Sequence, residues 1–69
     1  MKPIINIFGT LGYKPEKGYR AYIQPDEGKP LFTSQIVDVR NDNNEGVEIE
    51  TENTIYKITY SKNELPLAG

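Results

Sequence analysis

In VEIETENTIYKITY, residues 47–60, Val47, Ile49 and Thr51 alternate with Glu48, Glu50 and Glu52. A period of two belongs to a strand with one dry face and one wet face. Turn residues divide the rest of the chain into comparable short runs, and no stretch carries a 3.6-residue apolar repeat. The pattern predicts five strands, at residues 4–8, 19–24, 31–40, 47–51 and 54–60. The tail, SKNELPLAG, has Ser61 and Glu64 at capping-box spacing, but Pro66 limits it to one 3₁₀ turn.

The last two runs define their own register. If Glu52-Asn53 is a two-residue hairpin loop, Thr51 faces Thr54, Ile49 faces Tyr56 and Val47 faces Ile58, all on one side. On the other side Glu48 faces Lys57 and Glu50 faces Ile55. A slip of one residue would set apolar side chains against glutamates. The glutamates then read as the solvated face of a half-buried strand.

The third run is less regular. Pairing Val39 with Val47 and Val37 with Ile49 closes a connection over residues 41–45 and predicts a core of Val37, Val39, Val47, Ile49, Tyr56 and Ile58. The adjacent apolar pairs Leu31-Phe32 and Ile36-Val37 break strict alternation and predict a bulge or bend near Thr33-Ser34. The expected fold is all-β: about five antiparallel strands in a small SH3-like barrel or a curled meander sheet, with an OB-type barrel as the other closed form.

Sixty-nine residues suit a single small domain, residues 1–69, with a thin core. No run of eighteen apolar residues is present, so no membrane span or membrane partner is expected. MKPIINIFG is too short and lacks the small-residue pattern for a secretion signal, and cysteine is absent. These features predict a cytoplasmic protein. Residues 1–29 hold five basic and three acidic side chains, whereas residues 30–69 hold three and seven. That distribution argues against duplex nucleic acid on a broad basic face and leaves room for a local basic site.

Candidate chemistry is sparse. Without histidine or cysteine, the commonest bases, nucleophiles and transition-metal ligands are missing. Ser34 and Ser61 lack a nucleophile-elbow setting. DVRNDNNEG lacks the spacing of a calcium loop, and Gly9, Gly12 and Gly18 do not form a phosphate loop. The expectation is a non-enzymatic protein with no cofactor and no metal.

The most suggestive stretch is GYKPEKGYRAY, residues 12–22, where tyrosines are interleaved with cations. Tyr13, Lys14, Lys17, Arg20 and Tyr22 are the candidate binding residues, because aromatic faces beside cations anchor protein interfaces and also stack nucleobases. Alternation puts Tyr19, Ala21 and Ile23 on one face and Arg20, Tyr22 and Gln24 on the other. The second face is the expected outward one, with Tyr22 beside Arg20 exposed. The plainer reading makes Tyr19 and Tyr13 packing residues and the lysines solubilising ones.

Two motifs place the chain in a wider setting. Thr33-Ser34-Gln35-Ile36 followed by Thr51-Glu52-Asn53-Thr54-Ile55-Tyr56 resembles a T-S-x-I … T-x-N-[ST]-x-Y pattern of short bacterial and phage β-proteins. The resemblance implies a compact prokaryotic or phage module and brings no activity or site residues. The functional expectation is a protein–protein interaction module, such as a phage or mobile-element inhibitor or a small regulatory subunit. The alternative is a binder of nucleotides or single-stranded nucleic acid through residues 12–22. A homodimer is also expected, with Ile55 or the aliphatic first strand in the contact.

Overall fold

A computed structural model describes residues 1–60; the tail, including the expected 3₁₀ turn, lies outside the described residues. Five strands form: β1 (Ile4–Leu11), β2 (Arg20–Pro25), β3 (Leu31–Asn43), β4 (Gly46–Thr51) and β5 (Ile55–Tyr60). They make a closed barrel in the order β1-β2-β3-β4-β5, the arrangement of a small SH3-like barrel rather than an open meander. Sequence neighbours are antiparallel. An alternating meander of five strands brings its first and last together in the same direction, so β1 and β5 pair in parallel.

The β4–β5 hairpin has the predicted register. Val47 pairs with Ile58, Glu48 with Lys57, Ile49 with Tyr56 and Glu50 with Ile55. Thr51 N–H donates to the Thr54 carbonyl at 2.8 Å, closing the Glu52-Asn53 loop. Thr51 is buried, and its hydroxyl donates to the same carbonyl at 3.1 Å, so burial leaves no polar atom unpaired.

The expected β3–β4 register is wrong by two residues. Val39 pairs with Ile49 rather than Val47, and Asp38 pairs with Glu50. The connection is also tighter than residues 41–45, since β3 runs on to Asn43, which pairs with Gly46. Asn43 Oδ1 accepts the N–H groups of Glu45 and Gly46 at 2.7 and 3.2 Å, the short-range bonding that suits asparagine to a tight turn.

Val37 is not a core residue; it is 43% exposed, and Ile36 is buried in its place. From the pair Ile36–Thr51 to the pair Asp38–Glu50, β3 advances by two residues and β4 by one. The extra residue is Val37, and a bulge of this kind ejects its side chain from the alternation. A second irregularity spans Asn41, whose φ of 55° lies in the left-handed region that asparagine tolerates better than most residues.

The bend anticipated near Thr33-Ser34 is present between the pairs Arg20–Gln35 and Tyr22–Phe32. Ala21 N–H loses its ladder partner there and donates instead to the Thr33 hydroxyl at 2.9 Å, which donates onward to the Ser34 carbonyl at 2.7 Å. That role explains a threonine almost fully buried in the interior.

The core consists of Ala21, Ile23, Ile36, Val47, Ile49 and Ile58, with Ile7, Leu11, Leu31, Val39, Tyr56 and Tyr60 packed partly against it. β1 changes partner at Gly9, which pairs with Tyr60 of β5 and Pro25 of β2. A Cβ at Gly9 would lie 2.3 Å from the Gln24 carbonyl oxygen, so the close strand approach requires glycine.

Candidate binding site

The connection from β1 to β2 holds the candidate residues, and its ends are tied down by backbone bonds. Gly12 N–H donates to the Tyr22 carbonyl at 2.8 Å. Gly18 N–H donates to the Ile36 carbonyl at 2.9 Å, and Ile36 N–H donates to the Tyr19 carbonyl at 2.8 Å. Pro15 is buried, which anchors the middle of the loop. Gln35 Nε2 adds a bond to the Gly18 carbonyl at 3.1 Å.

Between this loop and the start of β3 lies an open hollow of about 730 Å³, framed by Tyr13, Lys14, Tyr19, Arg20 and Phe32, with Glu16 and Gln35 also lining it. Its three aromatic rings are well exposed: 48% for Tyr13, 64% for Tyr19 and 57% for Phe32. The Tyr13 hydroxyl donates to the Arg20 carbonyl at 2.6 Å, which orients the ring while leaving it open to solvent.

Arg20 is positioned by two contacts. Its Nε donates to the Thr33 carbonyl at 2.9 Å, and its guanidinium carbon sits 5.8 Å from the Phe32 ring centroid. That distance is within cation–π range. Among the described residues, no carboxylate lies at ion-pair distance from Arg20.

Tyr22 differs from its expected role. It is half-buried rather than exposed, because Phe32 packs on it at 4.7 Å between centroids with a 37° tilt. On its other side a Cβ at Gly12 would come within 2.3 Å of Tyr22 Cδ2. Tyr22 therefore supports Phe32, and Phe32 presents the open ring.

Tyr19, expected on the inner face, lies immediately before β2 and is one of the two most exposed rings of the site. Sequence reasoning missed Phe32 altogether. The signal was available: of the adjacent apolar residues Leu31 and Phe32, one has to point outward, and Phe32 is the register partner of outward Tyr22. Lys14 frames the hollow, whereas Lys17 does not line it; its charge instead helps hold the Asp38 carboxyl down. Ile55 is distant in role: it is half-covered on the outer face of β5, register-paired with Ile4 and Glu50.

The acidic face of β4 is arranged differently from a free docking surface. Arg40 makes ion pairs with Asp38 at 2.6 Å, Glu50 at 2.9 Å and Glu48 at 3.1 Å. Lys2 adds an ion pair with Glu50. Glu48 thus engages Arg40, although Lys57 is its register partner. Glu48 and Glu50 are partly covered instead of fully solvated.

The hydrogen bonds from Arg40 hold the Asp38 carboxyl below its ordinary value. Those from Lys2 and then Arg40 do the same for Glu50. Donating hydrogen bonds to Glu50, Glu48 and Asp38 pushes the Arg40 guanidinium further up, so it stays charged throughout the accessible range. Among the described residues, no group of acidic side chains is arranged to hold a metal ion.

The described residues contain no helix long and apolar enough to cross a membrane. Compared with family models, curated proteins and solved structures, the chain matches none.

Proposed function

We propose that this protein is a non-catalytic protein-binding module, an inhibitor or small regulatory subunit of the kind phages and mobile elements encode. Its partner would seat an apolar side chain against Tyr13, Tyr19 and Phe32 and place an acidic group near Arg20 and Lys14. One observation carries this reading: three aromatic rings stand open around one hollow beside an arginine with no carboxylate partner among the described residues. Aromatic residues and arginine at a desolvatable site are the usual anchors of protein interfaces. The absence of histidine and cysteine supports a role without catalysis.

The juxtaposition of open rings with Lys14 and Arg20 also supports a second reading, in which the hollow stacks a base of a nucleotide or single strand. One experiment separates the two. Affinity capture from host extract is run with the native protein and with a Tyr19→Ala/Phe32→Ala double variant, each with and without nuclease. The module reading expects a captured protein that is lost with the double variant and resists nuclease. Capture abolished by nuclease, with affinity falling steeply in salt, would support the nucleic-acid reading. Capture unchanged by the double variant would sink both.

A further inference from the structure

Barrel closure uses β1 in two halves. Ile4 to Gly9 pair with β5, while Gly9 to Leu11 pair with β2. The Phe8 carbonyl accepts the Asp26 N–H at 2.8 Å. From there back to Ile4, the side of β1 away from β5 has no strand partner among the described residues. The Pro3 carbonyl bonds toward β5, accepting Ile55 N–H at 2.9 Å, so alternation sends the backbone groups of Ile5 and Ile7 the same way. Those of Ile4 and Asn6 face the open side.

A second stretch of edge is open on β3, where Asp38 to Asn43 pair with β4 but not with β2. The two edges are protected to different degrees. Asp38, Arg40 and Asp42 punctuate the β3 edge, and charges of this kind normally prevent edge-to-edge pairing. No charged side chain occurs between Lys2 and Lys14, and Lys2 itself is held by Glu50. The β1 edge is flanked by Ile4, Ile5 and Phe8, exposed at 54%, 42% and 64%. The strand itself carries no charge, although Asp26 and Glu27 share a hollow with Asn6, Ile7 and Phe8 beside it. An aliphatic edge left open is a template for another strand.

We propose that two copies of this protein pair through these β1 edges, antiparallel about a twofold axis at Ile5. In that register Ile4 of one copy exchanges backbone hydrogen bonds with Asn6 of the other, and Ile5 lies against its own counterpart. Both outward-facing peptide units are satisfied. Moving the axis to Asn6 would require the Phe8 carbonyl, which Asp26 already occupies. A second copy suits this edge because a strand without charge meets its own image without repulsion. The hollow of Tyr13, Tyr19 and Phe32 lies outside the contact, so pairing and partner capture are separable.

Sedimentation equilibrium at high micromolar concentration tests the proposal on the full chain, alone and as Ile5→Lys and Asn6→Pro variants. Proline at position 6 removes only an N–H that faces the open edge, so the β5 ladder is kept. The native protein should sediment at twice its monomer mass and both variants at the monomer mass, with the β-sheet circular dichroism retained. A native monomer, or a dimer that survives in both variants, overturns the proposal. Deletion of residues 61–69 should leave the dimer intact; a monomer that dimerises only after deletion would make the tail the edge's occupant and overturn the proposal too. Hydrogen exchange on the native chain provides a readout independent of variant folding. The Ile4 and Asn6 amides should become protected as concentration rises, and protection that is independent of concentration counts against pairing.

Discussion

Arg20 and Arg40 stand on the outer surface of the same barrel, in opposite circumstances. Arg40 is enclosed by Asp38, Glu48 and Glu50, so its charge is answered within the molecule. Arg20 rests on Phe32 and the Thr33 carbonyl, and its charge is not answered by any described carboxylate. The region richer in charge is therefore the closed one, and the region with fewer charges is the open one. A count of acidic residues along β4 does not separate the two; what does is which charges and rings remain unpaired.

The contrast predicts that substitutions in the closed region act on stability and those in the open region on binding. Ile49 is fully buried beneath the Arg40 network and sets the upper end. Ile49→Ala should cost roughly 2–5 kcal/mol, read from urea unfolding, because the cavity left behind adds to lost burial. A cost below about 1 kcal/mol would mean that the barrel interior relaxes far more than a closed core should.

Arg40→Met should lower stability at neutral pH by a smaller margin and change its dependence on acid. Asp38 and Glu50 are held below their ordinary values of 3.8 and 4.5. The unfolded chain thus takes up protons at higher pH than the folded one. The stability these groups contribute is complete above the ordinary values and is lost as pH falls through the lowered ones. The native protein should therefore weaken steadily in acid, while the variant shows a shallower slope. Equal slopes in urea titrations from neutral pH to pH 2 would show that the network does not couple to folding.

The smallest stability effect belongs to the open region. Tyr19→Ala should change the unfolding free energy by no more than about 0.5 kcal/mol, since the ring is mostly in water. A loss comparable to that of Ile49→Ala would make Tyr19 a structural residue and erase the contrast.

The all-β class and the β4–β5 hairpin were legible because strict alternation ties register to burial, and the charges of β4 penalise every slip. β3 was not legible in the same way. Each of its irregularities, near Thr33-Ser34, at Val37 and around Asn41, resets the inward parity. Only the first left a trace as adjacent apolar residues that could be read correctly; the Ile36-Val37 pair was assigned the wrong member. At the site, Tyr13, Lys14 and Arg20 were visible as a local cluster. Phe32 was not, since its exposure depends on a cross-strand partner, and Tyr22 lost its place because that same partner covers it.

The parallel joint between β1 and β5 has a consequence for the order of folding. The β4–β5 hairpin closes over two residues, whereas Ile4 meets Ile55 only after nearly the whole described chain has been gathered in. Loop-closure entropy makes such a long-range pairing slow to form and favours the local meander as the early structure. Contacts at the joint then belong to the late stage, on the native side of the kinetic barrier. Weakening them should quicken unfolding far more than it slows refolding, a difference visible in the two arms of a chevron plot. The seam that closes the barrel would be the last part assembled and the first to part.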